Sequence, residues 1–251
     1  MNITGKCYFA SDFHFGSPNE NISKMREERV LEWLDQVLVD AKHLFLLGDI
    51  FDYWFEYSCV IPKGNYRFLT KLSEIRAKGI EIYYFTGNHD MWVKNYLVDE
   101  FGIHIFRNQK LFTINGKVCI VGHGDGLGPG QYGYKLMRWI FSRKFNIWLY
   151  GLLPSSYSFA IARFFSRKSR AMTPTHEEQY LGEDKEFVIL YIKEYLKENH
   201  ADFFIFGHRH LALDIQIQQS RYINTGDWIK LNTYFVLEQE GTLLTFTPTS
   251  C

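Results

Sequence analysis

Polar side chains follow five separate apolar runs of the sequence, and each of these side chains offers an oxygen or an imidazole nitrogen to a ligand. They are Asp12, His14, Asp49, Asn88, His123, His208 and His210. Carboxylate, amide and imidazole donors without a thiolate suit Mn²⁺, Fe²⁺ or Zn²⁺ better than Ca²⁺, which prefers oxygen ligands. Seven donors exceed the four that a tetrahedral ion takes, and a carboxylate can bridge two ions. The pattern therefore predicts two divalent ions and leaves the choice of metal open.

The apolar runs are short and rich in aromatic and β-branched residues, which is typical of buried strands. They span residues 7–11, 43–47, 82–86, 117–122 and 202–207. Between them, apolar residues recur at helical spacing in 30–41, 65–78 and 183–198. Strands that alternate with helices predict an α/β fold. Because ligand sites of such folds lie at the carboxyl ends of strands, we expect the seven donors to converge.

After Gly207 the pattern changes to four short strands, for which antiparallel pairing is the simplest expectation. Together with the earlier strands, they indicate two sheets covered by helices. No linker of biased composition divides the chain, so we expect a single domain over residues 1–251. The sequence leaves the oligomeric state open.

Two neighbouring ions predict phosphoryl chemistry. Ions about 3.5 to 4 Å apart can share a hydroxide of lowered pKa and clamp a phosphoryl group for in-line attack, so no protein nucleophile is required. A positively charged, hydrogen-donating side chain is then expected beside the metals. His89 follows Asn88 directly and is predicted to stabilise the transition state or to donate a proton to the leaving group. For Asp90 and Asp125, loop capping and catalysis are both open.

Residues 128–175 interrupt the α/β pattern. The wider segment 126–176 has eight basic residues and neither Asp nor Glu, although the whole chain has a net charge of zero. Two amphipathic patterns flank Pro154, and eleven aromatic residues lie between Tyr132 and Phe165. We expect an inserted helical hairpin that acts as a substrate-binding lid. Its aromatic and basic residues would form an apolar groove with a cationic rim, which suits an acylated phosphate compound at a membrane. A pair of ordinary helices packed on the core is the alternative.

Composition excludes several other classes of protein. With 46% hydrophobic and 18% aromatic residues in 251, the chain can build a large core and is neither disordered nor fibrous. The first residues have no secretion-signal pattern, and the apolar segment 145–154 is about half of the ~20 residues of a membrane span. Four widely spaced cysteines without a C-x-x-C pair indicate reduced thiols. A cytoplasmic location is therefore expected.

The ordered motifs D-x-H, G-D-x-x-D, G-N-H-D, H-G-D and G-H-x-H resemble those of the calcineurin-like metallophosphoesterase superfamily, and the resemblance covers nearly the whole chain. It implies a four-layer α/β sandwich of two mixed sheets with a dinuclear metal site. It also implies that Asp52 holds the imidazole of His89. The implied ligands are Asp12, His14, Asp49 and His210 for one ion, and Asp49, Asn88, His123 and His208 for the other, with Asp49 bridging.

Three further stretches, "GDIFDYWF", "HGDGLGPGQYGY" and "RFFSRKSR", resemble the UDP-2,3-diacylglucosamine hydrolase family of the lipid A pathway. The resemblance implies cleavage of the substrate pyrophosphate to UMP and 2,3-diacylglucosamine 1-phosphate by a metal-bound hydroxide, with Mn²⁺ as the first choice and Fe²⁺ or Zn²⁺ as alternatives. The substrate contacts it implies are Trp54, Tyr134, Arg167, Ser169 and Arg170. The basic helices would bind the inner membrane surface peripherally.

The chain departs from that family at two positions. It has His89 where the best-known members have Arg, and Gln131 where they have an acidic residue. His89 matches the wider superfamily, so we expect a divergent branch of the lipid A family. The first alternative is another metallophosphoesterase, such as a nuclease or a general phosphodiesterase or phosphatase, although a nucleic-acid partner is not expected. A non-catalytic binding module is the second alternative, but such a module would be expected to have lost ligands.

Overall fold

A computed structural model describes residues 1–172 and 179–246, with side chains described for 1–166 and 179–246. One of its two six-stranded sheets has the order β12-β11-β2-β3-β4-β5. Its central strands β2 to β5 run parallel, β11 is antiparallel to β2, and β12 is antiparallel to β11. The strands are β2 Cys7–Ala10, β3 His43–Leu46, β4 Glu81–Phe85, β5 His104–Phe106, β11 Tyr234–Leu237 and β12 Leu243–Phe246.

The other six-stranded sheet has the order β1-β6-β7-β8-β10-β9 and is also mixed. Strands β7, β8 and β10 run parallel, whereas β6 is antiparallel to β7 and β9 is antiparallel to β10. The strands are β1 Asn2–Ile3, β6 Lys110–Ile114, β7 Lys117–Val121, β8 Phe203–Phe206, β9 Ala212–Ile217 and β10 Ser220–Thr225. Each sheet therefore has a parallel centre, which brings the carboxyl ends of its strands to one edge.

The helices of the described residues are α1 Glu20–Asp40, α2 Tyr66–Ala77, α3 Tyr96–Phe101, α4 Tyr132–Phe141, α5 Lys144–Gly151, α6 Ser155–Met172 and α7 Phe187–Tyr195. Helices α1 to α3 cover the outer face of the first sheet, and α7 covers that of the second. Trp33 of α1 and Leu72 of α2 pack against the first sheet, and Ile189 of α7 packs against Phe204 of the second. The order helix, sheet, sheet, helix confirms the predicted four-layer sandwich.

The central core lies between the two sheets and is formed mainly by aromatic and branched aliphatic side chains. Phe9 stacks on Phe45 with ring centroids 4.6 Å apart, and Phe112 of the opposite sheet meets Phe45 edge to face at 5.3 Å. Full burial of such a side chain contributes about 1.5 to 3 kcal/mol. This packing fixes the two sheets face to face, so their polar edges stay aligned.

The antiparallel pairing expected after Gly207 is correct for the β9–β10 and β11–β12 hairpins. The two hairpins belong to different sheets, however, and β10 pairs with β8 in parallel. The predicted strands and helices are all present, whereas β1, β5, β6 and α3 were missed. All four elements have six or fewer residues. The three strands lie at or next to a sheet edge, where neighbouring strands rather than local pattern decide the conformation.

The insertion has three helices among its described residues, not the two of a hairpin, and residues 173–175 lie outside the description. Helix α5 occupies the stretch that we expected to connect the two. Phe145, Trp148 and Leu149 have helical spacing, and the helix ends at Gly151 before Pro154, which disfavours helix in the preceding residue. The expectation of a hairpin was therefore wrong in helix number, and its role as a lid stays a prediction.

Among residues 1–172 and 179–246, no helix is both long and apolar enough to cross a bilayer. Cys7, Cys59 and Cys119 form no disulfide within this part of the chain, and Cys251 lies outside it.

Candidate metal centre

The predicted donors follow the carboxyl ends of β2, β3, β4, β7 and β8, and the structure brings all of them together at one edge of the sandwich. Five of them adopt positive φ angles of 47–69°, namely Asp12, His14, Asp49, His208 and His210. This conformation costs roughly 1 to 3 kcal/mol for a residue other than glycine and concentrates at functional sites. The strand ends therefore turn sharply in order to aim these side chains at a common point.

Two glycines permit this close approach. A Cβ atom on Gly87 would lie 2.2 Å from Asp49 Oδ1, and one on Gly207 would lie 2.4 Å from Ser11 Oγ. Neither distance is compatible with a side chain, because the obstructing atoms belong to buried residues. The glycines of the G-N-H-D and G-H-x-H motifs are thus required by packing at the site.

Asp12, His14 and His210 form one potential ligand group. His210 Nε2 lies 3.4 Å from Asp12 Oδ1 and 3.4 Å from His14 Nε2, and His14 Nε2 lies 3.7 Å from Asp12 Oδ1. Ligand atoms about 2.1 Å from one tetrahedral ion stand about 3.4 Å apart. The three side chains therefore have the spacing that a shared cation requires.

Asp49, His123 and His208 form a second group. His123 Nε2 lies 3.5 Å from Asp49 Oδ2 and 3.3 Å from Asn88 Oδ1, while its Nδ1 hydrogen-bonds the Leu47 carbonyl oxygen at 2.7 Å. That hydrogen bond assigns the proton to Nδ1 and leaves the Nε2 lone pair for the site. Because Asp49 Oδ2 also lies 3.7 Å from His14 Nε2, Asp49 stands between the two groups.

The electrostatics of these residues fit divalent cations. Asp12 Oδ1 is buried and has no hydrogen-bond partner among the described residues, an arrangement that is costly for a carboxylate unless a cation approaches it. Burial opposes ionisation of Asp12, but His210 and His14 lower its pKa to about 2. Burial, reinforced by His123, lowers the pKa of His208 to about 4, so its imidazole is a neutral donor.

The pKa of His123 depends on two opposing effects of its surroundings. Burial alone would lower its pKa, yet the carboxylate of Asp49 raises the pKa to about 10. The Asp49 carboxylate therefore favours a positive charge at His123 even though the ring is buried. Together with Asp12 Oδ1, which no hydrogen bond satisfies among the described residues, this is consistent with a site that binds cations.

His89 lies beside the donors and is partly exposed at the mouth of the site. Its backbone N–H donates to Asp49 Oδ1 at 2.8 Å, and its ring stands edge-on to His14 with centroids 4.7 Å apart. The ring Nδ1 lies 3.0 Å from the Asp52 carbonyl oxygen and 3.6 Å from Asp52 Oδ1. The nearest partner of the imidazole is therefore the Asp52 backbone, with the carboxylate slightly farther away.

Two residues that support the site were missed in the sequence. The buried Arg26 of α1 donates to the carbonyl oxygens of Phe13, His14 and Ser17, which fixes the loop after β2. Asp227 lies 3.3 Å from His210 Nδ1 and accepts three backbone N–H groups of its own loop. A polar residue after an apolar strand could have indicated Asp227, whereas a basic residue in a helix gave no signal for Arg26.

Asp90 and Asp125 occupy different environments. Asp90 is fully buried and accepts from Ile50 N, Gly87 N and the hydroxyl of Tyr84, and burial raises its pKa to about 6. These contacts favour loop capping. Asp125 accepts from the Tyr134 hydroxyl at 2.5 Å and lies 3.2 Å from an Arg138 nitrogen, which ties α4 to the H-G-D loop.

The residues expected to contact substrate have different surroundings. Trp54 is fully buried, stacks near Phe51 and donates from Nε1 to Glu56 at 3.0 Å, so any effect on a substrate pocket would be indirect. Tyr134 lies over the site, with its ring 6.2 Å from that of His208. The side chains of Arg167, Ser169 and Arg170 lie outside the described residues.

In α4, the basic residues do not form the expected basic rim. Lys135 donates to Gly128 O, and Arg138 donates to the carbonyl oxygens of Asp125 and Arg107, so the basic face of α4 turns toward the protein. The outward surface of the insertion has many apolar side chains beside the exposed Arg143, Lys144 and Arg163. Its exposed apolar members include Leu136, Trp139, Phe145, Trp148, Leu152, Tyr157, Phe164 and Phe165. Arg143 lies over the Trp139 ring at 4.0 Å within this surface.

Comparisons with known proteins found the following similarities. The family model for the calcineurin-like phosphoesterases matches residues 5–212. A relative from Porphyromonas gingivalis, named UDP-2,3-diacylglucosamine hydrolase, is 34% identical over 96% of this chain and 97% of its own. A protein of the same name from a Shewanella species is 25% identical over 96% of this chain and 97% of its own. An archaeal phosphodiesterase of known structure is 13% identical, with a TM-score of 0.48, over 96% of this chain and 98% of its own.

Proposed function

Because the chain belongs to the calcineurin-like phosphoesterase family, we propose that it is a divalent-metal-dependent hydrolase acting on UDP-2,3-diacylglucosamine. The products would be UMP and 2,3-diacylglucosamine 1-phosphate. The observation that carries the proposal is the 34% identity to a relative of that name over 96% of the chain. The match spans both the donors and the insertion, so the likeness is not confined to the metal site.

The proposed metal ligands divide into two sets around Asp49. Asp12, His14 and His210 would join Asp49 for one ion, and Asn88, His123 and His208 would join it for the other. Two observations support this division. The donor atoms within each set lie close to one another, and Asp12 Oδ1 has no hydrogen-bond partner among the described residues. Mn²⁺ is our first choice of metal because it suits the carboxylate ligands, and Fe²⁺ or Zn²⁺, which suit the imidazoles, are the alternatives.

When bound, two such ions supply a nucleophile at neutral pH and neutralise charge on the phosphoryl oxygens. The protein contributes position and hydrogen bonds. His89, held at Nδ1 by the Asp52 carbonyl, would stabilise charge on the phosphoryl group or donate a proton to the departing group. The partial exposure of His89 is consistent with access to a substrate that enters from solvent.

The insertion would bind the diacyl part of the substrate and the membrane that contains it. Its outward surface is apolar, and the sequence 126–176 has basic residues without any acidic one. Apolar side chains enter the lipid interface, and Lys and Arg are attracted to anionic headgroups. We therefore propose a cytoplasmic protein that binds the inner membrane surface peripherally.

The substrate assignment is tested with purified protein and Mn²⁺. UMP release from UDP-2,3-diacylglucosamine is expected, with kcat/KM at least ~10²-fold above that for an aryl phosphodiester, because the acyl chains add binding energy. Asp49→Ala and His89→Ala serve as controls of strongly reduced activity. Cleavage of DNA or RNA in place of the lipid substrate would refute the assignment and favour a nuclease.

A further inference from the structure

Helix α6 has two different faces among its described side chains. Ser158, Phe159, Ala162 and Ser166 recur at helical spacing and turn toward the protein, whereas Tyr157, Ile161, Phe164 and Phe165 are exposed. Ser166 is the last of the inward residues, and only 9% of its surface is accessible. A hydroxyl is therefore buried beneath a helix whose outer face is apolar.

The Ser166 hydroxyl contacts Asp52. Its Oγ lies 3.0 Å from Oδ2 and 3.2 Å from Oδ1 of that carboxylate, so one proton is shared between two acceptor oxygens. The same Oδ1 lies 3.6 Å from His89 Nδ1 and 3.6 Å from His14 Nδ1. The Asp52 side chain thus lies between Ser166 of the insertion and both imidazoles.

The position of the Asp52 carboxylate matters to both rings. A carboxylate beside Nδ1 favours the tautomer with its proton on that atom and holds the ring plane, an arrangement that tunes histidine in metal sites. His14 turns Nε2 toward Asp12 and Asp49, at 3.7 Å from each, as this arrangement requires. If the carboxylate rotated away from the site, both rings would lose a negative charge 3.6 Å from Nδ1, whereas His89 would keep its nearer contact with the Asp52 carbonyl oxygen.

We propose that Ser166 is a positioning residue, which couples the docking of α6 to the position of the Asp52 carboxylate beside His14 and His89. The inference rests on the proposed hydrolase function and extends it. When α6 is docked, the Ser166 hydroxyl would help to hold this carboxylate toward the two imidazoles. The position of the insertion and the geometry of the site would thus be linked through this hydrogen bond.

The test compares Ser166→Ala with two matched variants. Loss of a hydrogen bond to a charged group is expected to lower kcat about tenfold. The loss should be similar for UDP-2,3-diacylglucosamine and for a small aryl phosphodiester, with KM within about twofold in both cases. Ser166→Thr keeps the hydroxyl and should restore most of the activity. Ser156→Ala removes an exposed hydroxyl from the same helix and should have no effect.

A double-mutant cycle identifies the intermediary. If Ser166 acts through Asp52, Ser166→Ala should change kcat by less than about twofold in an Asp52→Asn background, because coupled residues are not additive. One readout does not depend on activity. Amide hydrogen exchange over 155–166 should be unchanged in Ser166→Ala, which shows that the helix stays docked.

Several outcomes would overturn the proposal. These are wild-type kcat in Ser166→Ala, an effect limited to the KM of the lipid substrate, full additivity with Asp52→Asn, and faster exchange throughout 155–166. Failure of the proposed function is distinct, because wild-type protein would then release no UMP from the lipid substrate.

Discussion

At the level of single side chains, His89 lies close enough to His14 and Asp49 to share an ion with them, and it also has contacts that fix its ring. Its backbone supports Asp49 and its Nδ1 meets the Asp52 carbonyl, so its ring is oriented by protein atoms. We expect His89→Ala to lower kcat about 10²- to 10⁴-fold, the usual contribution of a general acid or base. Steady-state kinetics and elemental analysis should then give a slow enzyme that still binds two metal ions.

The matched variant is His89→Arg, which introduces the residue of the best-known lipid A enzymes. Its guanidinium can donate hydrogen bonds to a phosphoryl group but does not release a proton. Activity near the wild-type level would assign His89 to charge stabilisation, whereas activity as low as that of His89→Ala would assign it to proton transfer. Loss of one metal ion in His89→Ala would contradict both roles and make His89 a ligand.

Asp227 is expected to act on the metal site through His210. Asp227→Ala removes the carboxylate 3.3 Å from His210 Nδ1, and loss of such a partner typically lowers metal affinity or activity about 10- to 100-fold. Titration calorimetry with Mn²⁺ measures this effect. Asp214→Ala is the control, because Asp214 pairs with Arg221 on an exposed strand. Equal Mn²⁺ affinities in the two variants would exclude the orienting role.

The order of the donors could be predicted from sequence because each one follows an apolar strand, and parallel strands end at one edge. The residues that hold these donors in place could not be predicted from the sequence. Arg26 has the residue type of an exposed helix position, and the loop carbonyls that it binds are distant in sequence and support its burial. Trp54 was expected in a pocket, but its aromatic neighbours and Glu56 hold it in the core. Such contacts join residues whose pairing no local pattern encodes.

At the level of elements, Trp92 fastens two helices of the insertion to the loop after β4. Its Nε1 donates to the carbonyl oxygen of Phe141 in α4 at 3.0 Å, and its ring lies 4.9 Å from Tyr150 in α5. We expect Trp92→Leu to loosen α4 and α5 and to raise the KM for the diacyl substrate about tenfold. The aryl phosphodiester should be cleaved at close to the wild-type rate.

Hydrogen exchange of residues 132–151 should increase in Trp92→Leu, because local opening becomes less costly. Trp92→Phe keeps an aromatic ring while removing the Nε1 donor, so it should lie between Trp92→Leu and the wild type. Unchanged exchange and KM in Trp92→Leu would mean that α4 and α5 are held by other contacts.

Helix α4 shows a property that the sequence pattern did not predict, namely which of its faces turns inward. Periodicity predicted the amphipathic character of α4 but assigned its basic face to a cationic rim. In the structure, Arg138 instead reaches Asp125 and the Arg107 carbonyl, so the apolar face turns outward. Which face of a helix turns inward depends on partners distant in sequence, and a cation can be buried when carbonyl and carboxylate oxygens surround it.

At the scale of the whole molecule, metal binding is expected to stabilise the fold. Asp12 and Asp49 are buried close to each other, so a bound cation relieves a cost that the native state otherwise carries. Mn²⁺ at 100 times its Kd adds about 2.7 kcal/mol, which raises Tm by roughly 5 to 10 °C for a chain of this size. Calorimetry with Mn²⁺ and with EDTA measures the difference. Asp49→Asn should reduce it, and equal Tm values with and without Mn²⁺ would contradict a high-affinity site.

The outward surface of the insertion makes a prediction about the membrane. Phe145 and Trp148 of α5 are 66% and 59% exposed, and Arg143 and Lys144 precede them. Wild-type protein should sediment with vesicles that contain anionic lipid. A Phe145→Ser and Trp148→Ser double variant should bind them at least about tenfold more weakly, because each buried aromatic side chain contributes about 1.5 to 3 kcal/mol. Val39→Ser, at an 83% exposed position of α1, is the control and should bind normally. Binding that disappears fully in high salt would contradict insertion of apolar side chains, since salt screens charge but not burial.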